Sequence, residues 1–151
     1  GDCFAEQFID GREFNLSLLA SPEGPEALPP AEMKFIDYPP EKWKVVGYKA
    51  KWDDSSFESL HTQRSFEFPK SERPLLQNLM DMAKRCWHVF GLRGYARVDF
   101  RVDERNQPWV LEINANPCLS PDAGFVAAAS QAGLSYKQVV ERILQDVHPL
   151  P

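Results

Sequence analysis

The spacing of apolar residues near the start of the chain predicts a pair of antiparallel strands. From Phe14 to Ala20, apolar side chains occupy every second position, close to the two-residue period of a strand with one buried face. A second apolar run, Phe4 to Ile9, precedes it, and the two runs are separated by Asp10-Gly11, which favours a tight hairpin turn. The pattern therefore predicts strands over residues 4–9 and 12–20.

Shorter apolar runs predict the rest of a sheet and its loops. Strands are expected over residues 31–36, 45–52, 94–103 and 109–114. The segment between 21 and 30 contains four prolines and one glycine, a composition typical of a loop. The short connection between the last two strands has the character of a hairpin turn.

Three segments show the spacing of amphipathic helices. The longest, residues 71–90, begins at Ser71, a candidate N-cap. Residues 125–132 and 136–147 predict two more helices, broken at Gly133. Strands and helices do not alternate strictly, which favours an α+β fold: a mostly antiparallel sheet with helices packed on one face.

Composition limits the classes of function. The 151 residues are 43% hydrophobic and carry a net charge of −5, the balance of a soluble protein with a core. An acidic chain argues against a nucleic-acid groove and against an anionic membrane partner, and no apolar run approaches the roughly 20 residues of a membrane helix. Three cysteines without a CxxC pair exclude a disulfide scaffold and a cysteine-built zinc site, so a reducing, cytoplasmic location is expected.

The first residues bear on the extent of the protein. The chain has no initiating Met, and the start Gly1-Asp2-Cys3-Phe4 lacks the features of a signal peptide. A strand at residues 4–9 also requires a partner. We therefore expect the chain to be the C-terminal part of a longer protein, with a small complete domain as the alternative.

Two of the predicted strands place four polar side chains together. If they pair antiparallel with Asp99 opposite Glu112, then Arg97 lies opposite Asn114. Directly opposed side chains have Cβ atoms about 4.5–5.5 Å apart. The other face of this pair would carry the apolar residues Val98, Phe100, Val102, Leu111 and Ile113.

The two carboxylates, Asp99 and Glu112, would repel at this distance unless a cation lies between them. Carboxylate and amide oxygens shared with a phosphate substrate are typical of a Mg²⁺ site, and an adjacent arginine can stabilise negative charge on a reacting group. The alternative is an ordinary solvated sheet face, on which Arg97 and Arg101 pair with the two acids.

A series of ordered motifs resembles the ATP-grasp superfamily, and more closely the D-alanine–D-alanine ligases. The metal-binding end is represented by Arg97-Val98-Asp99 followed by Glu112-Ile113-Asn114. Supporting stretches lie at residues 6–14, 28–32, 48–52, 91–99 and 132–136, so the likeness runs from about residue 3 to residue 147.

The resemblance implies a C-terminal ATP-grasp subdomain over residues 1–151, without the N-terminal domain and the phosphate-loop subdomain of such ligases. The full protein would join a small-molecule carboxylic acid to an amine through an acyl phosphate, using ATP and Mg²⁺, with Mn²⁺ as a substitute metal. The isolated chain is expected to be inactive, and a homodimer is left open. The alternatives are a degenerate nucleotide-binding or interaction module without ligase activity and a plain structural sheet domain.

The resemblance also implies roles for the four polar residues. Asp99, Glu112 and Asn114 would hold Mg²⁺, with Glu112 as the bridge between two ions. Arg97 would be the catalytic residue that faces the tetrahedral oxyanion.

Five further residues would bind the nucleotide by the same resemblance. Glu6 would meet the adenine amino group, and Phe8 and Ile9 would supply backbone contacts. Glu13 would bind the ribose hydroxyls, and Lys51 would approach the phosphates from the loop after its strand.

Three of these residues have a simpler interpretation. Lys51 could be a solvated strand end and Glu6 an exposed strand residue. Glu13 could form an ordinary surface ion pair with Arg12, which would contribute little to stability.

The chain departs from the ligase pattern after the metal motif. Cys118 stands where these ligases usually carry a glycine, and the serine arrangement that binds the acceptor's carboxylate is missing. Ser120 is the residue that could replace it. D-alanine as the acceptor is therefore in doubt, and Cys118 is interpreted as a packing residue rather than a nucleophile.

Overall fold

A computed structural model of the chain describes residues 1–147, except for the side chains of Trp52 and Val147. The strands are β1 Arg12–Leu19, β2 Glu26–Ala27, β3 Ala31–Phe35, β4 Thr62–Ser65, β5 Tyr95–Val102 and β6 Pro108–Asn114. The helices are α1 Tyr48–Trp52, α2 Phe57–Leu60, α3 Arg73–Val89, α4 Gly124–Gln131 and α5 Tyr136–Val147, with a 3₁₀ turn at Lys70–Glu72. Residues 148–151, which belong to the expected domain, lie outside the described part.

The strands form one antiparallel sheet. Their order is β4-β3-β1-β5-β6, with the short β2 beside the end of β1. All pairings are antiparallel. The expected α+β class with a mostly antiparallel sheet is therefore confirmed.

One face of the sheet packs against α3. The alternating residues of β1 and β5, from Phe14 to Leu18 and from Val98 to Val102, are fully buried on this face. The helix contributes Leu79, Ala83 and Trp87 from one side, as its 3–4 spacing predicts. This cluster is the main core of the molecule.

The opposite face is apolar only at one end. Leu19 follows Leu18 on β1 and so faces the other way, where it packs with Phe125 of α4. Tyr95 of β5 makes an edge-to-face contact with the same phenylalanine, with ring centroids 5.4 Å apart. The two helices α4 and α5 thus cover this end and leave the rest of the face polar. Because α3 lies on the other face, the prediction that all helices pack on one face is wrong.

Helix α5 also covers the ends of two strands. Arg142 donates hydrogen bonds to the carbonyls of Ala20, at 2.9 Å, and Leu19. The Asp146 carboxylate accepts from the backbone N–H of Gly94, just before β5. Strand-end groups that would otherwise need water are thereby satisfied by one helix.

Two of the predicted strands are wrong. Within the described residues, the segment from Phe4 to Ile9 pairs with no strand, although the turn after it does lead into β1. Residues 45–52 do not form a strand either: the second half is α1, in which alanine and lysine favour the helix.

Two short strands and a short helix are not predicted by the sequence pattern. β2 lies inside the proline-rich segment expected to be a loop, and β4 and α2 lie in a polar stretch. β4 has the sequence Thr-Gln-Arg-Ser, which lacks apolar alternation, and it is a strand because β3 provides its hydrogen-bonding partner.

Gly11 forms the turn that leads into β1. Its φ of +136° lies in a region that other residues rarely adopt, and a Cβ there would overlap the Val102 carbonyl oxygen. A glycine is therefore required where the chain passes β5.

Among residues 1–147, no helix has both the length and the apolar character needed to cross a membrane.

Candidate active site

The polar face of β5 and β6 has the predicted register. Asp99 lies opposite Glu112, and Arg97 lies opposite Asn114. The four candidate metal and catalytic residues therefore lie in two adjacent rows on one face of the sheet.

Arg97 and Asp99 form a two-point ion pair. Arg97 donates from Nε and Nη2 to the two carboxylate oxygens of Asp99, both at 2.7 Å, and its Nη2 lies 3.9 Å from Oε1 of Glu112. Burial, the strongest influence, lowers the pKa of Arg97, but the hydrogen bonds to Asp99 and the charge of the nearby acids raise it overall. The guanidinium is therefore held ionised beside both acids.

A bulge in the β5–β6 pairing changes the position of Leu111. After Asp99, the register shifts so that Phe100 lies opposite Val110. Ile113 packs against the main core as predicted, but Leu111 is 45% exposed. The prediction that Leu111 belongs to the core face is wrong, because the extra residue in β6 breaks the alternation.

A cleft lies over this polar face. Its walls come from the segment before β1, from β1 itself, from the loop before α1, from α1, and from β5 and β6. The lining residues are Phe4, Glu6, Gln7, Phe8, Ile9, Glu13, Val45, Val46, Lys51, Asp99, Arg101, Trp109, Val110, Leu111 and Glu112. All five predicted nucleotide residues therefore share one cleft with two of the three predicted metal ligands.

Glu13, like Asp99, is a buried acid of the cleft. Its carboxylate accepts hydrogen bonds from the backbone N–H of Val46 and from Arg101, both at 3.2 Å. Burial raises its pKa above the ordinary value, and these two donors oppose the rise only in part. The alternative of a surface pair with Arg12 is wrong, because Arg12 points to the other face and binds Glu32 and Glu72.

Lys51 reaches the cleft from a helix. The expected strand and following loop are absent here, and the residue lies in α1, where it is exposed to solvent. The residue belongs to the same cleft lining as the two acids Glu13 and Asp99.

Arg101 is buried, although the alternation of β5 alone predicts a surface partner for acids. Its side chain is 4% exposed, and it donates hydrogen bonds to Glu13 and to three backbone carbonyls. Those partners are distant in sequence, so no local pattern could reveal them.

The oxygen donors on β5 and β6 are of the kind that a hard divalent cation binds. Two carboxylates and the Asn114 amide stand on adjacent strands, and Oδ1 of Asn114 accepts the backbone N–H of Asn116 at 2.9 Å. Within residues 1–147, no group of three or more His, Cys, Asp or Glu residues could hold a metal on its own. Such a set suits Mg²⁺, which completes its shell with water and phosphate oxygens.

Ser120 lies outside the cleft lining. Its hydroxyl is 3.1 Å from the thiol of Cys118, in the exposed loop between β6 and α4. Arg64 of β4 lies near the start of α4, where a Cβ added at Gly124 would come within 3.3 Å of its guanidinium. Burial, together with the charge of Arg97, lowers the pKa of Arg64.

The sequence matches the family model described as "D-ala D-ala ligase C-terminus" over residues 1–145. The uncharacterized protein y4sG of Sinorhizobium fredii is 33% identical over 147 residues, which is 97% of this chain and 41% of that protein. The D-alanine–D-alanine ligase of Carboxydothermus hydrogenoformans is 32% identical over 140 residues, which is 92% of this chain and 41% of that enzyme.

Solved structures support the same fold. The D-alanyl-alanine synthetase A of Vibrio cholerae superimposes with a TM-score of 0.70 at 20% identity, over 94% of this chain and 40% of that one. The D-alanine–D-alanine ligase of Bacillus anthracis complexed with ATP gives a TM-score of 0.67 at 19% identity, over 93% and 39%. The chain thus spans about 40% of the length of the proteins it matches.

Proposed function

Because the chain belongs to the D-ala D-ala ligase C-terminus family, we propose that it provides the nucleotide- and metal-binding wall of a ligase. The reaction is the ATP- and Mg²⁺-dependent joining of a carboxylic acid to an amine. ATP phosphorylates the acid to an acyl phosphate, and the amine then displaces the phosphate through a tetrahedral intermediate. A cytoplasmic location, where ATP and Mg²⁺ are available, belongs to the same proposal.

The cleft over the polar face is the observation that carries this proposal. Glu6, Phe8 and Ile9 precede β1, Glu13 lies on β1 and Lys51 lies on α1, yet these three separate parts of the chain line one cavity with Asp99 and Glu112. A solvated sheet face would not require this convergence.

The nucleotide would lie between the segment before β1 and the strands β5 and β6. Glu6 binds the adenine amino group, and the backbone around Phe8 and Ile9 contacts the ring edge. The buried carboxylate of Glu13 accepts from the ribose hydroxyls, while Lys51 binds the phosphates with its exposed ammonium group.

Asp99, Glu112 and Asn114 would hold Mg²⁺ or Mn²⁺ at the phosphate end of the cleft. The metal would neutralise the charge of the phosphates along the path of transfer. Arg97 lies beside two of these ligands and would stabilise the oxyanion of the tetrahedral intermediate. Its two hydrogen bonds to Asp99 hold its guanidinium in place for that role.

The acceptor amine remains the altered part of the pattern. The hydroxyl of Ser120 forms a hydrogen bond with the thiol of Cys118. No serine occupies the positions that the ligases use for D-alanine. We propose that the acceptor differs from D-alanine, that Ser120 contacts it, and that the 151 residues alone are inactive. Measurable turnover of ATP by this chain in isolation would contradict the last point.

A nucleotide-binding module without ligase activity is the second candidate. The observation in its favour is the pair Cys118 and Ser120 at the reacting end, together with an intact nucleotide wall. This alternative would be favoured if the full-length protein binds nucleotide but produces no ADP with any of the amine acceptors tested.

Titration calorimetry of the natural full-length protein tests the proposal. We expect micromolar binding of a non-hydrolysable ATP analogue with Mg²⁺, and at least tenfold weaker binding in Glu112→Ala, because the variant removes a charged oxygen ligand from the metal. Glu141→Ala is the control, since Glu141 is an exposed acid on α5. Absence of binding in the parent would refute both candidates.

A further inference from the structure

Arg101 connects two segments that have little structure of their own. Its Nε donates to the carbonyl of Ile9 at 2.9 Å, and its Nη2 donates to the carbonyl of Gly11 at 3.1 Å. Its Nη1 donates to the carbonyl of Lys44 at 2.9 Å and to the carboxylate of Glu13 at 3.2 Å. One side chain on β5 thus holds the segment before β1 and the loop before α1.

These two segments depend on such contacts. Residues 4–10 belong to no strand or helix, and within the described part of the chain they make no backbone–backbone hydrogen bond. In the second segment, the backbone N–H of Val45 donates to the carbonyl of Trp43, two residues earlier. The backbone N–H of Val46 donates to the carboxylate of Glu13, which also accepts from Arg101. The ring of Phe8 additionally lies 5.6 Å from the guanidinium.

The chemistry of arginine suits this arrangement. Its planar guanidinium carries five N–H donors in fixed directions, so it can serve four acceptors at once. A lysine has only three donors, all on one nitrogen atom, and so cannot serve all four acceptors at once. A methionine of similar length would fill the space and donate nothing.

We propose that Arg101 is the positioning residue that fixes both non-regular walls of the nucleotide cleft. It does not touch the reacting atoms; it sets the places of Ile9, Val46 and Glu13, which line the cleft. Its consequence for nucleotide affinity rests on the proposed function, whereas its effect on the two segments does not.

Arg142 offers a matched control. It donates to the carbonyls of Ala20 and Leu19 and to the carboxylate of Glu26, and its side chain is 20% exposed. It therefore resembles Arg101 in its partners, two or more carbonyls and one glutamate, but it lies at the end of the sheet covered by α5 and not in the cleft lining.

The experiment compares Arg101→Met, Arg101→Lys and Arg142→Met in the natural full-length protein. Three quantities are measured: the melting temperature, the affinity for an ATP analogue with Mg²⁺, and the ¹⁵N order parameters of residues 8–11 and 44–46. We expect Arg101→Met to bind at least tenfold more weakly, with order parameters falling below about 0.6 in both segments. Arg101→Lys should give intermediate values. Arg142→Met should lower the melting temperature, but its affinity should stay within about twofold of the parent's and its order parameters within about 0.1.

Equal affinity and equal mobility in Arg101→Met and Arg142→Met would overturn the inference. If Arg101→Met does not fold, Arg101→Lys decides, because it keeps a charged partner for Glu13. Should the parent bind no nucleotide, the proposed function fails, and the order parameters alone decide whether Arg101 positions the two segments.

Discussion

Glu13 combines a cost in stability with a proposed role in binding. Its pKa is raised in the folded protein because its carboxylate is buried. The folded state therefore holds this proton more tightly than the unfolded chain, where a glutamate titrates near 4.3. Stability from this group is fully present below the unfolded pKa and is lost as the pH rises through the folded value.

The substitution Glu13→Gln should separate the two effects. We expect the variant to be more stable than the parent at pH 7 to 8, with the difference vanishing below about pH 4. Nucleotide affinity should fall about tenfold or more, because an amide replaces a carboxylate that accepts from the ribose. Thermal unfolding across this pH range and nucleotide titration check both parts; a variant less stable than the parent at pH 8 would contradict the first.

At the scale of residues, the sequence predicted pairs but not burial. The pairing of Asp99 with Glu112 could be predicted, because side chains alternate along a strand and the numbers of opposed residues in an antiparallel pair have a constant sum. The partners of Arg101 lie 57 to 92 positions away along the chain, so their contact depends on the complete fold. The prediction for Leu111 fails for a different reason. The alternation of polar and apolar residues over a six-residue strand does not reveal a bulge.

The turn before β1 connects the cleft wall to the sheet. Gly11 and Gly24 both have positive φ angles, of +136° and +111°, but a Cβ at Gly24 would meet nothing within 4 Å. The two glycines therefore distinguish backbone strain from steric overlap.

Alanine substitutions at these glycines test that distinction. Gly24→Ala should cost about 1–2 kcal/mol from strain alone. Gly11→Ala should cost about 2 kcal/mol more, because its Cβ meets the Val102 carbonyl and the start of β1 must move. Chemical unfolding of the two variants gives the comparison, and equal losses would show that β5 accommodates the methyl group easily.

Among the elements, strong local periodicity decided which predictions succeeded. α3, α5 and β5 appear within about two residues of their predicted bounds because each has a regular apolar stripe, and β6 does so because it pairs along β5. The segment from residue 4 to residue 9 has strand-like composition, but hydrogen-bonding partners decide whether a strand forms. The short α1 is an example of the ambiguity between helix and strand in runs of fewer than ten residues.

The cleft makes the whole molecule responsive to its ligand. Its walls come from parts of the chain that only the folded state brings together, so a nucleotide would bind the native state and not the unfolded chain.

Nucleotide should therefore stabilise the protein against unfolding. At a ligand concentration of 100 times Kd, we expect about 2.7 kcal/mol of additional stability. ADP with Mg²⁺ should raise the melting temperature of the natural protein, and a chelator should remove most of the shift, because Asp99 and Glu112 repel phosphates when no metal lies between them. An equal shift with and without chelator would assign the stabilisation to the base and ribose contacts alone.

At the scale of the molecule, the sequence was sufficient for the fold class and the family. Both follow from features that extend over most of the chain, and the family match covers residues 1–145. The shape of the cleft could not be predicted, because it depends on where two segments without regular structure are held.

The contacts of α5 determine where the chain tolerates truncation and where it tolerates fusion to another protein. Arg142 and Asp146 hold the ends of β1 and β5, so a truncation before residue 142 would expose strand-end carbonyls and the apolar surface around Phe125. Proteolysis in this helix should therefore loosen the sheet at the end where β1 finishes and β5 begins. A fluorescent protein or affinity tag joined after residue 147 would leave both side chains in place, and that is the position we expect to tolerate fusion.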